Sequence, residues 1–517
     1  MNLLCTRNMM TLCQRSSETK TSPVWFSNLE KQHLVNVHIF EESPCESREA
    51  ICNLCKSKVS FESSAYYCRE CRSHFHKDCL TITYPKIHEH TLTFIRREIF
   101  VPCDLCGRED KGIYYGCLQC DFFVHRHCIY LPKVIKITRH LHRLSHNLRI
   151  NDHGDNICGV CRDHVEARYG GYSCIDKTCN YVVHSTCIIT FNVWDGKELE
   201  EEPEPVPEEI DSEVDFAALV EIDAKSKRHF SHEHDLMRLD IDDKEESEQV
   251  CQACILPIEF GSYLGCKQCD FALHDVCASL PRKMEHAIHI HPLTIHVDTM
   301  NYENGFFTCT VCNQCSCGYM YKCSQDCGFK IDVKCASFAE PFHHSTHKHP
   351  LYLAVYFDEF IYSCVGCTQS SRFAAQCYES CWYPLEFKCL NLPQLVKYKC
   401  DTHSLTLYGK NYYSKRSEEQ LKWWCEICEE NIDWSNFCYS CLDCCTTVHV
   451  DCILGKYPYL KSGHRIKVSG FEVEVASNNG GSRPICHTCH RICQYRQVFN
   501  AKDDVCFCSI NCIHSTK

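Results

Sequence analysis

Long apolar runs are missing from this 517-residue chain. No stretch of 18 or more apolar residues occurs, so no transmembrane helix is expected. Positive charge is scarce as well. The 54 Lys+Arg against 67 Asp+Glu leave a net charge of −13 at pH 7. That balance argues against a nucleic-acid binder, which needs a basic surface to meet phosphates. The opening MNLLCTRNMMTLCQRSS lacks the apolar core of a secretory signal. The chain is therefore expected in an intracellular compartment, cytoplasmic or nuclear, where thiols stay reduced.

What the chain has instead is cysteine and histidine: 49 Cys, nearly one residue in ten, and 32 His. High cysteine in a short secreted chain marks a disulfide framework, but such a framework has no use for imidazole. Zinc does, because it accepts thiolate sulfur and imidazole nitrogen in one tetrahedral shell.

One phrase recurs: C-x2-C, a gap of 9–12 residues, C-x2-4-C, four residues, then H-x2-C. It reads Cys52, Cys55, Cys68, Cys71, His76, Cys79, then Cys103, Cys106, Cys117, Cys120, His125, Cys128. The third copy is Cys158, Cys161, Cys174, Cys179, His184, Cys187, and the fourth Cys251, Cys254, Cys266, Cys269, His274, Cys277. The fifth, Cys309, Cys312, Cys323, Cys327, Asp332, Cys335, has aspartate in the histidine slot. The sixth, Cys364, Cys367, Cys377, Cys381, Glu386, Cys389, has glutamate there. The seventh is Cys425, Cys428, Cys441, Cys444, His449, Cys452. A carboxylate can ligate zinc, or it can leave the position vacant or water-filled.

Between copies lies H-x-H-x-L, at His88/His90, His140/His142, His232/His234, His289/His291 and His347/His349. Spacing from the preceding cysteine reads the first histidine as closing one module and the second as opening the next. On that reading Cys400 closes the sixth module, His403 opens the seventh, His464 closes it, and His33 or His38, with His33 preferred, opens the first. Each module then offers eight ligands, enough for two zinc ions. The first C-x2-C joins the H-x2-C, and the second pair joins the flanking residues. Spacing alone does not establish that pairing. Cys486, Cys489, Cys508 and Cys512 form a variant terminal set with Cys493, Cys506 and His487 as nearby competitors. The expected load is about 13–15 zinc per chain.

The phrases CDFFVHRHC (120–128), CDFALHDVC (269–277), HPLTI (291–295) and the ending ICHTCHRICQYRQVFNAKDDVCFCSINC (485–512) resemble the plant DC1 (divergent C1) family. That family is related to the C1 domains of protein kinase C. The resemblance covers nearly everything from about residue 33 to 512. It implies a tandem array of small zinc-stabilised α+β modules, C1-like zinc fingers with short β-hairpins and a short helix each. It also implies one zinc on Cys52, Cys55, His76 and Cys79 and another on His33, Cys68, Cys71 and His88, with the same crossing later. The modules divide as 31–89, 90–141, 142–194, 229–290, 291–348, 349–402 and 403–465, with a Cys-rich variant at 466–517. Residues 1–30 carry no module and are expected to be disordered.

Residues 195–228 are read as an acidic disordered linker. Its core, DGKELEEEPEPVPEEIDSEVD, holds eleven acids and one lysine. It separates Cys187 from His232. Either it interrupts the third module, which His232 then completes, or it joins two arrays and leaves a three-ligand site before it.

The expected function is a non-enzymatic, zinc-binding interaction protein of intracellular signalling, with protein partners. Filled four-ligand shells argue against catalysis. A diacylglycerol- or lipid-responsive regulator is one alternative, but no repeated apolar loop tip or basic rim is visible. A PHD-like chromatin reader shares the local cysteine spacing, yet gives H-x-H-x-L no role. Trp424-Cys425-Glu426-Ile427-Cys428 resembles a thioredoxin motif, but the βαβ context that would lower a thiol pKa is absent. Phe122 and Phe271, in the Cys-Asp-Phe phrase, are read as core fillers.

Overall fold

The fold is a computed structural model describing residues 40–42, 50–59, 65–69, 72–83, 85–95, 99–109, 112–117, 119–151, 156–189, 193–202, 218–222, 226–241, 249–298, 302–325, 327–354, 362–379, 381–409, 423–433, 435–478, 483–502 and 504–516. Ligand candidates His33 and Cys71, the segment 1–30 and most of the acidic run lie outside them. Two compact units arise. One takes residues 1–136, 142–189 and 197–200, the other 137–141, 190–196 and 201–517.

One local design repeats. A strand after the H-x-H phrase pairs with a strand ending at the third cysteine, which pairs in turn with a strand ending at the H-x2-C histidine. In the second module these are Leu92–Ile95, Tyr114–Cys117 and Phe122–His125, all antiparallel. A one-turn helix follows at once: α1 Lys77–Leu80, α2 Arg126–Ile129, α3 Ser185–Ile188, α4 Asp275–Ala278, α5 Val333–Ala336, α6 Phe387–Leu390, α7 Val450–Leu454 and α8 Ile510–His514. Each of the first seven holds the last cysteine of H-x2-C, and the third ligand residue is its N-cap. The Leu-Pro pairs at 131–132, 280–281 and 392–393 fall just past these helices, where a proline cannot continue one.

The sheets do not stop at module boundaries. Thr81–Ile82, after α1, edges the second module's sheet, and Val134–Ile135, after α2, edges the third module's. A buried tyrosine clasps each such junction. Tyr115 donates to the Cys79 carbonyl at 2.6 Å, Tyr172 to Pro132 at 2.7 Å and Tyr439 to Pro393 at 2.6 Å, and Tyr321 donates to Pro281. The phenol satisfies a carbonyl that water does not reach, so the bond both stabilises and fixes register.

The apolar core differs between regions. The second module has its own, built on Leu92, Leu105, Tyr115 and Val124. The fourth to seventh modules share one continuous core, from Leu236 through Tyr321 and Phe387 to Tyr439 and Tyr459. The terminal segment forms a four-stranded sheet, Arg465–Val468, Phe471–Ser477, Gln497–Asn500 and Cys506–Phe507, with Phe499 and Phe507 fully buried.

Candidate metal centres

Every first C-x2-C pair is a knuckle of one geometry. The residue after its second cysteine takes a left-handed φ: Lys56 60°, Gly107 68°, Arg162 63°, Ile255 64°, Asn313 56°, Thr368 58°, Glu429 61° and His490 56°. Its amide donates back to the first cysteine's carbonyl, at 2.9 Å for Lys56 to Cys52 and 2.7 Å for Gly107 to Cys103. Only Gly107 is a glycine, so the other positions hold strain of about 1 kcal/mol each against the turn. The terminal pair Cys486/Cys489 shares this geometry, with His490 N–H donating to Cys486 O at 3.0 Å.

The knuckle cysteines meet the H-x2-C pair. Cys52, Cys55, His76 and Cys79 converge with all ligand atoms within 4.8 Å, as do Cys103, Cys106, His125 and Cys128, and Cys158, Cys161, His184 and Cys187. The imidazole uses Nδ1 throughout. It lies 3.2 Å from Cys55, 3.4 Å from Cys106, 3.3 Å from Cys161, 3.4 Å from Cys254 and 3.3 Å from Cys428. The final cysteines stand at 3.8–4.0 Å: Cys79, Cys128, Cys187, Cys277 and Cys452. The far ring nitrogen of His76, His184 and His449 faces the carbonyl of Lys58, His164 and Asn431 at 3.3, 3.1 and 3.2 Å. A proton held at Nε2 leaves the Nδ1 lone pair for a metal. Amides also aim at sulfur. His76 N–H meets Cys52 Sγ at 3.5 Å and His449 N–H meets Cys425 Sγ at 3.4 Å, which favours thiolate.

The second kind of set corrects the crossed pairing. Both histidines of each H-x-H phrase join the cysteine pair that follows them. His88, His90, Cys117 and Cys120 form one set, and His140, His142, Cys174 and Cys179 another. His232 Nε2 lies 3.5 Å from Cys269 and His234 Nδ1 lies 3.7 Å from Cys266. His289 Nε2 is 3.3 Å from Cys327 and His291 Nδ1 3.5 Å from Cys323, while His347 and His349 approach Cys381 at 3.1 and 3.3 Å. The cause is strand register. The phrase runs directly into the first strand of each hairpin, and in the fifth module it lies inside that strand, His289–His296. The leucine of H-x-H-x-L then pairs opposite the third cysteine, as Leu144 with Cys174, Leu236 with Cys266 and Leu293 with Cys323. His232 therefore serves the fourth module. The third module's set is complete with His140 and His142, so the linker interrupts no site.

Sequence reasoning missed the aromatic beneath these sets. The first histidine stacks on the aromatic two residues past the fourth cysteine. His88 lies on Phe122 at 4.6 Å between centroids, and His232 on Phe271, His289 on Phe329 and His347 on Tyr383 at 4.1 Å each. Phe122 and Phe271 thus orient a ligand as well as fill space. The recurrent Phe in Cys-Asp-Phe was the available signal.

Three further assignments change. In the seventh module Asp401 replaces the first histidine. His403 Nδ1 is 3.2 Å from Cys444, and the Asp401 carboxylate, which lies near the Cys441 and Cys444 thiols, accepts the His403 N–H at 2.9 Å and sits 3.5 Å from its ring. Cys400 is exposed and interacts with Tyr398 instead. Asp401-Thr402-His403 has the H-x-H spacing, which a search for cysteine and histidine alone passes over. His464 turns its Nε2 to the Gly305 carbonyl at 2.6 Å rather than to a cysteine pair. In the terminal segment Cys489 is 3.7 Å from Cys508, which is 3.4 Å from Cys512, and Cys486 hydrogen-bonds within the same group. Cys493 and Cys506 are buried beside it, and His487 packs edge-on against Phe507 at 5.9 Å.

The two carboxylates of the fifth and sixth modules stand where imidazole stands elsewhere. Asp332 Oδ2 is 3.1 Å from Cys312, and its Oδ1 caps α5 by accepting the Cys335 N–H at 2.9 Å. Glu386 Oε1 reaches Cys367 at 2.8 Å and Cys389 at 3.9 Å. Burial pushes Asp332 up to about 7. Among the thiols, Cys106 is drawn down to about 3 by hydrogen bonds from Cys103 and Cys128. Cys425 is likewise drawn to about 3 by Cys452. Sulfurs packed this closely force one thiolate to be sheltered by its neighbours' protons, an arrangement a cation relieves.

The donor sets fit zinc. A tetrahedral shell with Zn–S near ~2.3 Å and Zn–N near ~2.0–2.1 Å spaces its donors about 3.4–3.8 Å apart. The sulfur–nitrogen separations of 3.1–4.0 Å and the terminal sulfur–sulfur separations of 3.4 and 3.7 Å lie close to it, with Cys377 and Cys381 tighter at 2.9 Å. The five sets named by cluster are joined by nine more among the described residues. Bound there, zinc supplies cross-linking of chain segments. The residues supply closure where four donors meet, as in the five sets spelled out above.

A family model described as C1 domain matches residues 86–129, 138–188, 230–278 and 398–453, and one described as C1 domain-like, C-terminal matches 473–513. No curated protein and no solved structure matches the chain. The first four matched spans each start just before an H-x-H or Asp-x-His phrase and end after H-x2-C, the grouping of the metal sets. The fifth and sixth modules lie outside the matched spans yet repeat the knuckle, the hairpin and the helix. Among the described residues no helix is long and apolar enough to cross a membrane. The chain is a Cys/His-rich protein of tandem C1-like domains closed by a C1-like C-terminal domain.

Proposed function

We propose that this protein is a non-enzymatic, zinc-folded scaffold that binds protein partners in intracellular signalling. The observation that supports it is closure. The five sets spelled out above each bring four donors, whereas a catalytic zinc keeps one position for water or substrate. With its ligands spent on folding, the array offers partners the surfaces between ligands, which vary from module to module.

The test is proximity labelling with the full chain in its native tissue, beside a chain carrying Cys106→Ser and Cys254→Ser. The reading expects a reproducible set of protein neighbours that the variant loses. Neighbours unchanged by knuckle disruption would overturn it, as would insulin reduction by the purified zinc-loaded protein that Cys425→Ser abolishes.

A further inference from the structure

The acidic run begins with a docked segment. Lys197–Glu200 packs within the first unit, against the edge of the third module's sheet. The Leu199 amide donates to the Val134 carbonyl at 2.8 Å, on the open side of the edge strand Val134–Ile135. Glu198 accepts from the Lys133 backbone N–H at 3.0 Å and from Lys86 Nζ at 3.2 Å. Glu200 pairs with Lys133 Nζ. Arg143 Nη1 donates to the Leu199 carbonyl at 3.4 Å. Glu198 and Glu200 flank a half-buried leucine; Lys86 and Lys133 receive the two glutamates and Arg143 the leucine carbonyl. This corrects the expectation of an acidic linker disordered from residue 195.

The seat is built to be reversible. Its ion pairs are exposed: Lys86 and Lys133 side chains are 69% and 60% exposed, Glu198 and Glu200 35% and 32%. Pairs that exposed are screened by water and contribute little each. One backbone bond to an exposed edge adds only modestly, since it replaces bonds to water. A tether gives the segment an effective concentration of order millimolar, which is what keeps so weak a contact occupied. Strand addition at an edge, with charge on either side selecting the ligand, is a general mode of peptide recognition.

The geometry points to a peptide-docking groove on the edge strand Val134–Ile135, bounded by Lys86, Lys133 and Arg143, that takes an extended acidic peptide of the pattern acid–Leu–acid and is covered in cis by Glu198-Leu199-Glu200 as a displaceable pseudo-ligand. This deepens the interaction reading above, on which it rests, by naming a partner class. A partner displaces the segment when its own acidic strand outcompetes the tether.

The test uses the full zinc-loaded chain and a fluorescent peptide of residues 196–202, Gly-Lys-Glu-Leu-Glu-Glu-Glu, followed by polarisation. The wild-type chain, its groove filled, binds weakly. A chain carrying Glu198→Lys and Glu200→Lys binds the native peptide at least tenfold tighter, and adding Lys133→Glu abolishes that gain. A peptide with Leu199→Pro, which lacks the amide, binds the opened groove at least fivefold more weakly. Zinc content equal to wild type shows that the variants are folded. Hydrogen exchange gives an independent readout, since the Leu199 amide should be protected in the wild-type chain. No gain on opening the groove overturns the inference. So do equal binding of polyglutamate, indifference to Lys133→Glu, and an unprotected Leu199 amide. Peptide failure with the zinc-dependent neighbours retained removes this inference alone. Loss of those neighbours removes the broader reading.

Discussion

The second module and the block of modules four to seven use the same knuckle, hairpin and metal sets but differ in what lies between them. The second module closes a small private core around Tyr115 and Leu92. The later block pools its apolar side chains into one core running from Leu236 to Tyr459. Domains of about 60 residues are already marginal in the apolar surface they bury, and the second module, residues 90–141, is smaller still. A lone module therefore depends on its metals outright, whereas the pooled block adds hydrophobic burial to the same cross-links.

Removing metal is the largest way to break that contrast. Structural zinc contributes about 10–16 kcal/mol per site at neutral pH. Exhaustive chelation should erase amide protection in 86–129 completely. In 251–459 it should leave a compact, loosely packed remainder with slowed but measurable exchange. Hydrogen exchange read by mass spectrometry checks this, and equal loss in both regions would remove the contrast.

Single ligands come next. Cys106→Ser should release one metal and destabilise by more than about 4 kcal/mol, with faster exchange confined to the second module. Cys309→Ser should release one metal too. Because Cys309 is buried in the pooled core, its effect should spread into the neighbouring modules. Native metal counting together with regional exchange separates the two patterns.

The junction clasps are smaller. Tyr439→Phe leaves the Pro393 carbonyl without its donor and should cost about 1–3 kcal/mol in urea unfolding of the pooled block. Leu264 and Ala375 occupy the matching strand positions in the fourth and sixth modules, so no clasp of this kind is available there.

The last effect is proton-linked and amounts to at most about 2 kcal/mol between pH 6.5 and 5. Burial holds His286 at about 4, against an ordinary value near 6.5. The unfolded chain therefore takes up this proton first. Its contribution is constant above about pH 6.5, shrinks by at most ~1.4 kcal/mol per pH unit as pH falls toward 4, and changes no further below. His286→Gln should flatten the pH dependence of stability between 6.5 and 5 relative to wild type at fixed zinc. Parallel profiles would contradict it.

The knuckles were legible because C-x2-C and H-x2-C place their ligands locally. The short helix after each histidine was legible as well. The partner of each H-x-H phrase was not. Spacing from Cys128 to His140 equals that from Cys277 to His289, which suggested that the first histidine closes the preceding module. Strand register decides otherwise, by placing Leu144 opposite Cys174, and register is not written in spacing. Asp401 was hidden because a carboxylate in a cysteine-rich chain reads as surface charge. The pooled core was hidden because the modules look separable in sequence, and the tyrosines that join them resemble ordinary hairpin aromatics.

The most direct test is elemental analysis of zinc in folded, reduced, full-length protein after size exclusion. Five sets and nine more among the described residues predict at least about 14 zinc ions per chain. Two or three would contradict the account.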